Sequence, residues 1–339
     1  MTTTVGQLID TFYSQPAFSE PEFSTDPRPN LSRKAWTDHF EPINRRTVYQ
    51  PTKESIDGFL GPGLDTEHRP SSGIDDAGLQ NRAHPPNSAS EPILSEGDVD
   101  RDFYQYFEPG FRFAFTGEPF FWPRSLAGPT GPTNTAVTVD YQLTWPRQNN
   151  TLLERAIMIG ELKQPFVIRE SEWTTNQAPS TLTQRLQREM RGYAYHYRCP
   201  QVFVFDSVHL LVLQFRARDR ENIKSPGCPV DCCVIPRHPT YQDQCTIQYA
   251  LYRLAWRGWM RLSATLANGG SLPVGIGGIN RVYEKWSGRP MWEVALGAYE
   301  FGQPNGYRRQ FIRDQTGGLW VWVDNGGNIL AYDTGNCLQ

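Results

Sequence analysis

Residues 136–266 alternate two kinds of pattern, and that alternation most constrains what the chain can fold into. AVTVDYQLTW is β-branched and alternating and ends at Pro146, and ERAIMIGELK follows as a second strand. STLTQRLQREMRGYAYHYR, residues 180–198, repeats Leu182, Leu186, Met190 and Tyr193 at three- to four-residue intervals behind Ser180, a good N-cap. QVFVFDSVHLLVLQFRA then reads as two strands joined at Asp206-Ser207. DCCVIP reads as a short core strand, and TIQYALYRLAWRGWMRLSATLA as a long helix stopped by Asn268-Gly269-Gly270. Upstream, DVDRDFYQYFEPGFRFAF carries aromatics at helical spacing, then a run with strand character. Helix, strand, strand, helix, strand, strand, helix is the signature of an α/β domain: a mixed central sheet flanked by helices.

The flanks differ in composition. Residues 1–98 are rich in Pro, Ser, Asp and Asn and poor in aliphatic side chains, so they are expected to be largely irregular, with Gly61 to Pro92 mobile. The sheet domain is expected over residues 99–267. Residues 268–339 form a C-terminal extension, in which GGLWVWVDNGGNILAYDT predicts a β-hairpin around Asn325-Gly326-Gly327 that packs on the core. No apolar run approaches a membrane span. The first residues lack the basic-then-apolar pattern of a secretory signal. The six cysteines are too few for a disulfide framework. Together these features point to an intracellular protein, of cytoplasm or nucleus, without membrane association. A net charge of -3 gives no global attraction to nucleic acid, so any such binding needs a local basic patch.

One strand breaks its own apolar pattern. In RAIMIGELKQPFVI, Glu161 and Lys163 stand one residue apart. Residues i and i+2 of a strand share a face, so both point one way while Leu162 points into the core on the other. If the two strands form a meander, Asp140 of VTVDYQL lies beside Glu161. Two converging carboxylates with open water positions suit Mg²⁺ (or Mn²⁺), and an adjacent lysine would act on a water or a phosphate. An E-x-K triplet by itself is also what an exposed salt bridge produces.

The strand carrying Asp140, the GELK triplet in the next strand and the helix and strands after it resemble the PD-(D/E)XK, or restriction-endonuclease-like, nuclease superfamily. The resemblance covers roughly residues 99–262. It implies a restriction-endonuclease-like sheet and Mg²⁺-dependent hydrolysis of nucleic-acid phosphodiesters, DNA more than RNA. Asp140 and Glu161 would be metal ligands and Lys163 a catalytic lysine. Many members carry Gln, or Gln-x-x-x-Tyr, on the following helix. That role is carried onto Gln187, although here Tyr193 follows Glu189 at this spacing. Val139 replaces the usual proline. An acid from the first helix would be Asp98, Asp100, Asp102 or Glu108.

Arg185, Arg188 and Arg191 of the helix, with Arg216 and Arg218 after the strand HLLVLQF, are the candidate phosphate-backbone contacts. The other reading of these arginines is solvated charge partly paired with neighbouring acids. Cys228, Cys232, Cys233 and Cys245 do not match zinc-finger spacing and read as buried thiols. The alternative to an enzyme is a catalytically inactive nuclease-fold protein, acting as a nucleic-acid-binding or protein-interaction module through its N-terminal region or C-terminal hairpin.

Overall fold

The computed structural model describes residues 3–14, 16–17, 34–60, 79, 81–86, 92–93, 95–115, 122–123, 137–144, 156–240, 243–266, 274–276, 279–283, 290–296, 298–301, 308–314 and 317–333. Its centre is a seven-stranded mixed sheet. In chain order the strands are β1 (Arg46–Val48), β2 (Trp122–Pro123), β3 (Tyr141–Thr144), β4 (Ala156–Leu162), β5 (Gln201–Phe205), β6 (His209–Phe215) and β7 (Val230–Pro236). In space the order is β1-β7-β6-β5-β4-β3-β2. β1 with β7 and β4 with β5 are parallel pairs, and the rest are antiparallel. The expected meander of the Asp140 and Glu161 strands is the antiparallel β3–β4 pair.

Both faces of the sheet are covered, so its strands read as apolar on both sides. Phe203, Phe205, Val212, Met158 and Leu162 face one cluster. Above it lie α1 (Lys53–Leu60), α4 (Ile247–Leu266) and a helical run that opens with α2 (Glu96–Asp102). Val202, Val204, Leu211, Leu213 and Ile159 face the other cluster, under α3 (Thr181–His196), Trp36, Phe40 and Trp173. Gly258 sets the first contact: a Cβ there would stand 1.9 Å from the Ile157 carbonyl, so only glycine lets α4 lie this close to β4. Ser180 caps α3, its hydroxyl accepting from the Thr183 N–H, and is itself held by Glu172.

Three expectations change. The run after α2 is not a strand. It passes through a π turn at Phe103–Phe107 into a helix at Glu108–Phe113, supported by the Glu108–Arg112 pair at i,i+4. The described parts of the N-terminal region are built into the domain. The helix at Val5–Ile9 is buried, Thr3–Thr4 pairs with Arg82–Ala83, β1 extends the main sheet, and Trp36, Phe40 and Ile43 are buried. Within the stretch expected to be mobile, Leu79 and Ala83 are buried in the core, and so is Ile93 just beyond it; most of its other residues lie outside the described set. These apolar residues are too sparse to make a core of their own, but each docks singly onto the sheet domain.

The third change concerns the C-terminal extension. The predicted hairpin is present as Gly317–Val323 and Ile329–Asp333 around Gly327 (φ 82°), and Arg308–Asp314 adds a third strand. A separate four-stranded antiparallel sheet runs from Val274 to Phe301. The side chains that would pack this hairpin on the core, and the helix stop at Asn268-Gly269-Gly270, lie outside the described residues. Among the described residues, no helix is long and apolar enough to cross a membrane.

Candidate functional site

The sheet brings the central triad of residues together. β3 and β4 pair with Tyr141 opposite Gly160, which puts Asp140 opposite Glu161. The Leu162 N–H donates to Asp140 Oδ2 at 2.8 Å, tying the aspartate to the strand that carries the glutamate. Leu162 is buried in the opposite core cluster, so Glu161 and Lys163 share the face under α3. Lys163 Nζ donates to Glu161 Oε1 at 2.6 Å.

Two further elements close on the pair. From α3, Glu189 Oε1 accepts from Lys163 Nζ at 3.3 Å and from the Tyr193 hydroxyl at 3.1 Å. From the N-terminal region, Lys34 Nζ donates to Glu161 Oε1 at 2.8 Å, and also to Glu189 Oε1 and to the Tyr193 hydroxyl. Lys34 opens a 3₁₀ turn at Ala35–His39. Trp36, two residues on, seats against Gly192 and packs against Tyr193, Phe40 and His196.

The electrostatics follow from burial and this pairing. Glu161 is 3% exposed, and burial pushes its carboxyl up to about 7; the lysines oppose that shift, and Glu189 and Asp140 reinforce it. Burial would likewise raise Glu189, but Lys163 and Lys34 outweigh it and hold that carboxyl down to about 2. Burial would lower Lys163 and Lys34, but Glu161 and Glu189 outweigh it and raise both. Both ammonium groups therefore stay charged. Among the described residues, none donates to the second oxygen of Glu161, Oε2, which is buried.

The residues expected on the helix are redistributed. Gln187 is buried and its amide meets no partner among the described residues, but it lies about 200° around α3 from Glu189. Arg191, one turn further along its stripe, bonds carbonyls on the far side. Gln187 is therefore not part of the cluster, and Glu189 with Tyr193 holds the position expected of it. Sequence type favours glutamine there; the Glu189-x-x-x-Tyr193 spacing is the signal that finds the right pair. Lys34 has no local signal at all.

Of the helix acids, Asp98 closes a capping box with Ser95. Asp102 is buried against Arg237 and Ser207, and Glu108 is paired with Arg112. Asp100 remains: its carboxyl is raised by burial and by Asp140. Glu96, which sequence reading passes over, is raised by burial, and the charges of Lys163, Asp140, Lys34 and Glu189 all act on it. Glu96 and Asp100, one turn apart on α2, are both exposed, and the charge of Asp140 acts on each.

The arginines divide. Arg185 is exposed on the Glu189 stripe, one turn earlier, and Arg188 is partly exposed beside it. Arg191 is fully buried and donates to the carbonyls of Ile223, Ser225 and Pro42, so it is a structural strut and cannot reach a phosphate backbone. Arg216 is bound to Asp231 and Tyr49. Arg216 and Arg218 follow the end of β6 that pairs with the start of β5, whereas Glu161 faces Val204 near the end of β5. They stand at the wrong end of the sheet to serve this site.

The five described cysteines are free thiols. Cys228 and Cys232 lie in one core cluster and Cys233 and Cys245 in the other, on opposite faces of β7, so the four cannot converge on zinc. Among the described residues, no group of three or more His, Cys, Asp or Glu side chains is assembled around a point. The donors at hand are the carboxylates of Asp140 and Glu161, which stand opposite each other on paired strands. A buried carboxylate oxygen without a partner beside a second carboxylate fits a hard, oxygen-seeking cation that keeps several waters.

No protein-family model, curated protein or solved structure matches the chain.

Proposed function

We propose that the chain is a metal-dependent nuclease of the PD-(D/E)XK, restriction-endonuclease-like type, hydrolysing DNA phosphodiesters. One observation carries the reading: Asp140 and Glu161 stand opposite each other on paired strands, with Lys163 beside them on the same face. Asp140 and Glu161 would hold Mg²⁺ or Mn²⁺. The ion would supply charge neutralisation for the phosphate and a water of lowered pKa. Lys163 is held as an ammonium by the two glutamates, so it acts as a donor to the phosphate oxygens rather than as a proton acceptor. Glu189 fixes that ammonium and, through the Tyr193 hydroxyl, its own position on α3. Arg185 and Arg188 flank the cluster on α3 and are the backbone contacts this reading retains.

The test is purified protein with plasmid and single-stranded DNA, in Mg²⁺ or Mn²⁺ against chelator. Metal-dependent cleavage is expected. Lys163→Ala should abolish it while metal binding persists, because the ammonium acts mainly on the transition state. Glu161→Ala should lose both. Cleavage that survives Lys163→Ala refutes the assignment.

A second reading has its own observation. Lys34 and Lys163 already compensate Glu161 and Glu189 internally, as a site retained only for its fold would be. A chain that binds no divalent ion and cleaves no nucleic acid would be a binding or interaction module.

A further inference from the structure

Lys34 does not belong to the sheet-and-helix frame that builds the cluster, yet it makes the cluster's most complete cation contact. Its ammonium is met by three oxygens from two elements: Glu161 Oε1 at 2.8 Å, Glu189 Oε1 and the Tyr193 hydroxyl. Lys163 reaches the same two carboxylate oxygens from the strand side. Glu161 Oε2, in a side chain 3% exposed, has no donor of its own among the described residues. A buried carboxylate oxygen left bare beside a three-oxygen nest filled by an ammonium marks a place where a cation belongs.

Shared oxygens decide which cation can be there together with which. Lys34 Nζ and Lys163 Nζ both sit on Glu161 Oε1 and Glu189 Oε1. A divalent ion drawn to these oxygens meets two ammonium groups within bonding reach of the same atoms. Like charges that close repel strongly away from water, so loading the ion favours withdrawal of one ammonium. Lys34 is also the member able to leave: it is 28% exposed against 12% for Lys163, and it stands at the head of the strap in which Trp36 sits on Gly192 and Phe40 and Ile43 are buried.

We propose that Glu161 Oε1, Glu189 Oε1 and the Tyr193 hydroxyl form a cation position of which Lys34 is the tethered occupant. Divalent-ion loading at Glu161 and docking of residues 34–43 on α3 therefore oppose each other. This rests on the reading of Asp140 and Glu161 as a metal site and adds to it an intramolecular competitor, held by Glu189 and Tyr193.

The experiment is calorimetric titration of the full chain with Mn²⁺, using wild type, Lys34→Met, Gly192→Ala and Glu161→Gln, each checked for folding by circular dichroism. Hydrogen exchange of wild type is measured with and without Mn²⁺. Lys34→Met should bind Mn²⁺ about tenfold more tightly, within the usual range of coupling between two ligands. Gly192→Ala keeps both lysines but dislodges Trp36, and should also tighten binding; it carries the test if Lys34→Met does not fold. Saturating Mn²⁺ should speed exchange in residues 34–43 but not in 156–162. Ion binding by Lys34→Met where wild type shows none supports the proposal equally. Binding lost in Glu161→Gln but no tighter in Lys34→Met and Gly192→Ala, with unchanged exchange of the strap, overturns the tether and leaves the metal reading standing. Folded wild type and variants that all fail to bind at millimolar Mn²⁺ overturn both.

Discussion

Gly192→Ala places two physical effects in direct opposition. Gly192 lies inside a 16-residue helix, where Ala is favoured over Gly by about 1 kcal/mol. Propensity alone makes the substitution stabilising. The new Cβ, however, would stand 2.1 Å from Trp36 Cζ3, 2.9 Å from Cε3 and 3.1 Å from Cη2. Carbon atoms sit comfortably at about 3.5–4.0 Å, so the indole must move by more than an ångström. It cannot do so freely: the ring is 3% exposed, with Tyr193, His196 and Phe40 rings at centroid distances of 5.2, 5.6 and 6.2 Å.

Overpacking of this kind costs about 1–3 kcal/mol, and a ring boxed on three sides belongs at the upper end. Complete undocking of a buried Trp would forfeit about 4–6 kcal/mol of apolar burial, which sets the ceiling. The cheaper route, less the helix gain, gives a net destabilisation of about 2 kcal/mol. Urea unfolding followed by circular dichroism reads it. Repeating the substitution in a Trp36→Ala background removes the clash, and there it should stabilise by about 1 kcal/mol. A wild-type background in which Gly192→Ala stabilises would refute the reasoning, because the strap would then not rest on that glycine.

Three other outcomes are expected. Protons and divalent ions compete for Glu161, whose carboxyl lies near 7, so Mn²⁺ affinity should fall about tenfold per pH unit below 7 and level off above it; a pH-independent titration would contradict this. The same raised carboxyl favours the folded metal-free chain most fully below its usual 4.5, and that contribution is lost as pH rises through 7, so the stabilisation given by added Mn²⁺ should be larger at pH 8 than at pH 6. Arg191→Met should lower stability by roughly 3 kcal/mol, since three carbonyls lose their donor, and should leave the salt dependence of any DNA binding unchanged.

The parts of the fold that are legible in the sequence are those fixed by local periodicity. The period of two around Leu162 puts Glu161 and Lys163 on one face, and the position of Asp140 in the preceding strand puts it opposite. Ser180 announces the start of α3 because a cap works within one turn. Gln187 misleads because residue type says nothing about helix phase; the helix turns Glu189, not Gln187, toward β4. Arg191 misleads for a related reason: an arginine in a basic helix looks solvated until its carbonyl partners, which come from Pro42 and from Ile223 and Ser225, are known. Lys34 is illegible in principle, since 127 positions separate it from Glu161 and no spacing rule spans such a gap.

The parallel pairing of β1 with β7 also bears on how the chain is made. Val48 is paired with Cys232, so β1 must wait for a partner synthesised roughly 180 residues later, about 10–40 s at ordinary elongation rates. Trp36 and Lys34 must likewise wait for α3, which ends at His196, and until it is made β4 carries its acid and lysine without the N-terminal partner. Closing so long a loop is entropically slow, and the unpaired edge of β7 is a template for other chains while it stays open. Removing the first fifty residues would make that exposure permanent, so a truncated chain would be expected to self-associate through β7.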